Sequence, residues 1–275
     1  MQTLALVRDT FRESFARKIF WGFLGCSTAL ILFFVVALNI DLMEGATAAV
    51  TLFGKEIDGG RLVNVEKMVR KILGVVAAFL FTAGLFLSVF ASAGLIPTLF
   101  EPGRIELLLS KPISRTRLLL GRYLGTLAVI GSNMLYLVLG VWVVLGIKTH
   151  IWNPNFLLAA ALAIFAFAVM LAVVTAVAVL SSSAVLATMV TYFFMIVSPL
   201  LAQHDKIKPL FRRPWARQLT EYLYYLFPKY WDLGNEARLA MEGQPFGGWM
   251  AVWTSAAFAA VLLAAGLWAF ARKDY

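Results

Sequence analysis

The chain alternates between long apolar runs and shorter polar ones, and the long runs have the length of a membrane crossing. Residues 19–39, 72–99, 118–147 and 249–270 are each a nearly unbroken apolar stretch, and about 20 such residues cross a hydrocarbon core as a helix. Phe156 to Leu201 is almost wholly uncharged and far too long for one crossing. It predicts two, 156–180 and 184–201, joined at the serines 181–183. Six spans put both termini on one side. The predicted fold is an all-α polytopic membrane protein, one transmembrane domain over 1–275. The first span starts with basic residues, but it is longer than the core of a secretory signal and no small-residue cleavage site closes it, so it reads as an uncleaved anchor.

Three polar segments interrupt the apolar pattern. In residues 2–17, Leu4, Val7, Phe11 and Phe15 recur at helical spacing, with Arg12 and Arg17 elsewhere around the helix and Glu13 placed for a pair with Arg17. Such a helix lies in the interface rather than crossing it. Residues 41–69 carry β-branched residues on either side of Asp58-Gly59-Gly60, which suggests a short hairpin there. Residues 203–248 hold Trp215, Leu219, Tyr222, Leu223 and Leu226 on one helical face, with Tyr225, Tyr230 and Trp231 close by. Amphipathic aromatics favour the membrane–water interface, so this region reads as an interfacial belt or as a lid over an outer opening. The two polar regions 41–69 and 203–248 fall on the side opposite the termini.

Composition agrees with the pattern: 61% of residues are hydrophobic, 14% are charged and the mean hydropathy is +0.83, against about 25% charged in soluble domains. The net charge of +9 on such a chain reflects cations beside spans and contact with membrane lipid, not a nucleic-acid partner. These cations divide almost evenly between the two sides, so counting alone does not orient the chain. The cluster at the termini and at 99–125 favours placing them in the cytoplasm. One cysteine, Cys26, excludes an internal disulfide framework.

The predicted spans carry charged residues only near their ends, which argues against ion-coupled transport and against an intramembrane enzyme. His150 and His204 are isolated, so no metal site is expected, and no G-x-x-x-x-G-K-[ST] phosphate loop occurs. The chain is therefore expected to be non-catalytic and to hold no cofactor. Energy for uphill movement would have to come from a partner.

The segment LFEPGRIELLLSKPISRTRLLLGRYLG, Leu99 to Gly125, breaks the apolar pattern most sharply. Glu101-Pro102-Gly103 is a turn. Arg104 to Lys111 then makes about two turns of helix with Ile105, Leu108 and Leu109 on one face. Pro112 stops it, and Ser114 is placed to cap the third span. Arg115 and Arg117 fall in that span's first turn, where each opposes the helix dipole by roughly 0.3–1 kcal/mol. Something negative should offset them: lipid phosphates or an acidic protein surface.

This segment resembles the one between the second and third spans of the type 2 ABC exporter permeases, whose recurring pattern is ELLLSxPxxRxxLLxGKxLG. Gly103, Glu106, Leu107 to Ser110, Pro112, Arg115, Leu118, Leu119, Gly121 and Gly125 match it, with Arg122 where lysine is usual. The ending FARKDY, the amphipathic start and the six-span layout fit the same family. The resemblance implies a coupling loop over 100–117 containing a short cytoplasmic coupling helix. Glu101, Arg104, Glu106, Leu108, Leu109, Ser110, Lys111, Pro112 and Arg115 would then contact a separate ABC ATP-binding subunit. It further implies two such subunits holding ATP and Mg²⁺, a second permease chain in a homodimer, and a multi-pass protein of the bacterial cytoplasmic (inner) membrane with both termini cytoplasmic. The alternative is a membrane-embedded scaffold or assembly factor without transport of its own.

Overall fold

The computed structural model describes residues 2–16, 18–42, 47–52, 55–56, 63–100, 103, 114–210 and 213–273. Helix α1 (Gln2–Ala16) meets α2 (Lys18–Ala37) at 76°. A small sheet follows, made of β1 (Leu38–Leu42), β2 (Thr47–Leu52), β3 (Lys55–Glu56) and β4 (Val63–Asn64). Strand β2 pairs antiparallel with the other three. Leu52 pairs with Lys55, so β2 and β3 form an antiparallel hairpin; the composition places a turn at residues 58–60. Residues 58–60 lie outside the described residues.

The second crossing is a composite. α3 (Val65–Phe79) passes through a π-helical turn, Leu80–Gly84, into α4 (Leu85–Ser92), and a 3₁₀ turn covers Pro97–Phe100. Next comes α5 (Arg115–Thr149), whose 35 residues reach about 52 Å, well past the roughly 30 Å hydrocarbon core. Ser114 Oγ caps it by accepting from the Arg117 backbone N–H at 3.4 Å. α6 (Asn155–Ser181) ends where Ser182 turns left-handed at φ 53°, and Ser183 caps α7 (Ala184–Ala202). Then follow α8 (His204–Ile207), α9 (Pro214–Leu226), α10 (Tyr230–Met241) and α11 (Trp249–Arg272). Five of these runs are each long and apolar enough to cross a bilayer, and the bent pair α1–α2 makes six. The chain is an all-α polytopic membrane protein in which the sheet is a minor insert.

α6 is the axis of the bundle. In its most apolar stretch 67% is buried, against 22% in α7 and in α11, whose remaining surface faces outward. Phe156 and Phe167 are fully buried, and Gly266 of α11 brings its backbone close to Ala176: a Cβ there would lie 3.4 Å from the Ala176 Cα. Small residues of this kind let membrane helices approach. α2 and α5 run in parallel, with Ser27 hydrogen-bonded to Asn133, Ile31 over Gly140 and the Lys148 ammonium on the Val35 carbonyl. These contacts define two ends. One end gathers α1, residues 93–100, the start of α5, the Ser181–Ser183 turn and Lys273. The other gathers the sheet, residues 150–154 and α8 to α10.

Candidate functional site

Of the residues that the sequence nominates for coupling, Glu101, Arg104, Glu106, Leu108, Leu109, Ser110, Lys111 and Pro112 lie outside the described residues. Gly103 is described, with φ +81°, a left-handed turn conformation that suits glycine. Both legs of the excursion are also described, and they converge on one residue. The Phe100 ring packs edge-on against Phe270 at 5.6 Å, while the Arg115 guanidinium donates to the carbonyls of Phe270, Ala271 and Lys273. Arg115 is thus offset by the C-terminal carbonyls of α11, which carry the negative end of that helix's dipole. Its described partner is this chain's own tail. The tail is pinned further: Lys273 Nζ donates to the Val179 carbonyl and to Ser182 Oγ, closing the end of α6. Arg272 lies over the Trp268 ring at 4.3 Å.

One step deeper sits a buried ion pair. Arg122, 4% exposed, donates to the Glu13 carboxylate, to the Leu95 carbonyl at 2.7 Å and to Thr10 Oγ1 at 3.4 Å. Glu13 also accepts from Thr98 Oγ1 at 3.5 Å. Arg122 lies two turns inside α5, near one end of the predicted span as the sequence placed it, and is nevertheless buried. The guanidinium is held there because its fork meets a carboxylate and two further acceptors at once.

The two glycines of the same motif have a matching purpose. A Cβ on Gly121 would lie 2.7 Å from Leu6 Cδ1, and one on Gly125 would lie 2.6 Å from Thr10 Oγ1. They admit α1 against α5. The face of α1 that packs is accordingly Leu6, Thr10 and Ser14 rather than the apolar stripe. Of that stripe, Phe11 is half-buried and Phe15 is 48% exposed, edge-on to Phe20 and tilted against Trp21. Arg12 is exposed, and Arg17 lies outside the described residues.

At the opposite end, Trp215, Tyr222 and Tyr225 lie on the exposed side of α9. Tyr230, 5% exposed, is buried with Leu233, Ala237, Ala240 and Met241 of α10, while Trp231 stays 41% exposed. The aromatic region therefore splits into an outward helix and an inward one. The spacing of Leu233, Ala237, Ala240 and Met241, with Gly234 against Phe81, carries the signal for the inward helix.

Between α9 and α11, Lys229 is buried. Its Nζ donates to Thr254 Oγ1 at 3.0 Å and lies 4.6 Å from the centre of the Tyr224 ring. Burial pushes this ammonium's pKa down, against the pull of Asp232. Asp232 accepts from Tyr224 Oη at 3.0 Å, and burial raises its carboxyl above the usual range despite that bond and the Lys229 charge. Burial and then Asp232 raise the Tyr224 phenol as well. His204 stacks on Tyr224 at 4.1 Å and is an aromatic partner. Among the described residues no group of three His, Cys, Asp or Glu side chains could hold a metal ion.

This geometry has two parts: a tightly knotted end that holds both legs of a polar excursion, and a separate aromatic cap. A search of curated proteins returns no match. The family model described as ABC-2 family transporter protein matches residues 4–275, covering the excursion, α1 and the tail alike. On that match the chain belongs to the ABC-2 transporter family, as the membrane permease component of an ABC transporter.

Proposed function

We propose that the chain is the permease of an exporter driven by a separate ATP-binding subunit, which grips residues 101–117. The observation that carries this reading is the convergence of both legs of the excursion on Phe270. A load applied to the segment reaches α5 and α11 directly, and through Arg122, Leu95 and Glu13 it reaches α1 and the end of the second crossing. Membership of the family over residues 4–275 supports the same reading. In it, both termini and the excursion face the cytoplasm of a bacterial inner membrane. Two permease chains form a homodimer, two ATP-binding subunits hold ATP and Mg²⁺, and the sheet with α8 to α10 forms the outer cap.

Copurification tests it. The permease pulls down an ATP-binding subunit, and Glu106→Lys lowers the yield of that subunit about tenfold, as expected for roughly 1.4 kcal/mol lost at a charged contact. Retention of the subunit at the wild-type level contradicts the proposed grip.

A further inference from the structure

A groove runs between α3 and α10 at the capped end, and nothing in the coupling scheme uses it. Its wide part is a cleft of about 690 Å³ whose rim holds Arg70, Lys71 and Arg238. Gly74, Val75, Ala78 and Met241 line the same cleft. Ala78 and Arg238 also border a second pocket of about 110 Å³, which continues past Phe81 and Thr82 to Tyr230, Trp231 and Gly234. The two volumes form one groove, charged at one end and mostly apolar at the other.

The order of these residues follows depth. α3 belongs to a membrane-crossing run, so each turn from Lys71 to Thr82 goes about 5.4 Å deeper. The cations therefore sit near the interface, and Val75, Ala78 and Phe81 fall below them at the level of acyl chains. Val75 is 64% exposed, so the groove opens sideways. At the rim, Arg70 pairs with Glu66 at 2.6 Å and Arg238 pairs with Glu242. Lys71 adds positive charge beyond these two pairs, and it is exposed toward the cleft. The Arg70 guanidinium also reaches over Gly243, where a Cβ would come within 2.8 Å of its Nη1, so the rim is a fixed feature joining α3 to the end of α10.

We infer that this groove binds an anionic phospholipid: the phosphate at Arg70, Lys71 and Arg238, and one acyl chain along Val75, Ala78 and Phe81. The cleft is lined by four cations, Lys67, Arg70, Lys71 and Arg238, against two carboxylates, Glu66 and Glu242, and this surplus of positive charge over an apolar channel complements such a molecule in charge and in orientation. A zwitterionic lipid fits the channel and gains less from the rim. The site belongs to the isolated permease and needs no ATP-binding subunit, so its test stands apart from the coupling proposal.

The test uses the full chain in a Cys26→Ser background, reconstituted in nanodiscs of phosphatidylcholine with phosphatidylglycerol. Lipid retained after detergent extraction is counted by native mass spectrometry. Wild type retains phosphatidylglycerol over phosphatidylcholine. Lys71→Glu, an exposed change, lowers that preference about fivefold or more. Ala78→Trp, which fills the wall shared by both pockets, removes the bound lipid. Equal retention of the two lipids, or a preference unchanged in both variants, overturns the assignment. Displacement by inorganic phosphate alone, with no effect of Ala78→Trp, overturns the acyl-chain half of it. Disulfide-linked dimers from Val75→Cys in the membrane also overturn it, because a second copy then covers the groove.

Discussion

The two ends of the bundle handle buried charge in different ways. At the end holding both termini, Arg122 meets Glu13 across 109 residues of chain, and Arg115 reaches the Lys273 carbonyl across 158. At the capped end, Lys229 rests on Thr254, 25 residues away, and on tyrosine faces, while Asp232 rests on Tyr224, 8 residues away. The first end ties together helices from the beginning, middle and end of the sequence. At the second, the buried charges rest on sequence neighbours, while α10 itself is tied to distant segments through Phe81, Arg70 and Asn155. A region that takes up a push should have its charged groups cross-braced over long range, as the first end has. The contrast gives each end a mechanical character.

The contrast is broken most severely by removing Arg122. Arg122→Gln strands the Glu13 carboxylate in a buried site and is expected to cost about 3–5 kcal/mol, read from denaturant unfolding in detergent. Replacing both members, Glu13→Met with Arg122→Met, should recover most of that loss, because neither charge is then buried alone. If the double variant costs the sum of its parts, the pair is not coupled and the long-range brace is absent. A smaller effect follows from crowding the α1 contact. Gly125→Val should cost about 1–3 kcal/mol and loosen α1, seen as faster proteolysis within residues 2–16, whereas Gly131→Val, facing Ile164 at 3.6 Å, should be milder.

The smallest effect sharpens the opposite end. Because the Asp232 pKa is raised in the folded protein, its contribution to stability is fully present below the ordinary carboxylate value and is lost as pH rises through the raised one. The melting temperature of wild type minus that of Asp232→Asn should therefore be largest near pH 4 and decline towards pH 8. A difference that grows with pH would mean that Asp232 is held as a paired anion, and the two ends would then be alike.

Much of this architecture is legible along the chain, and what is hidden has a common cause. Ser114 is visible as a cap and the serines 181–183 as a turn, within which Ser182 goes left-handed and Ser183 caps α7, because capping and turns are local chemistry. Gly121 and Gly125 are legible as sites of close approach, but their partners Leu6 and Thr10 are not, since nothing near α5 in sequence names α1. Arg122 reads as a flank cation, and only the fold brings Glu13 to it. Tyr230 reads as a belt aromatic like Tyr222, yet one is buried and the other is 71% exposed, because α9 and α10 turn their faces differently. The pairing of Leu52 with Lys55 carries no comparable turn signal in the sequence, while the signal at residues 58–60 falls outside the described residues. The residues nominated within 101–113 rest on motif resemblance, while Arg115 gains a described partner that the motif does not reveal.

Everything mechanical in this reading requires the excursion after the second crossing to face the cytosol. Single cysteines at Ser114 and, as an outer reference, at Gln244, both exposed, can be placed in the Cys26→Ser background and treated in intact cells with a thiol reagent that does not cross membranes. Labelling of position 244 alone, with position 114 reacting only after lysis, is the expected result. Labelling of position 114 from outside intact cells would contradict the coupling mechanism outright.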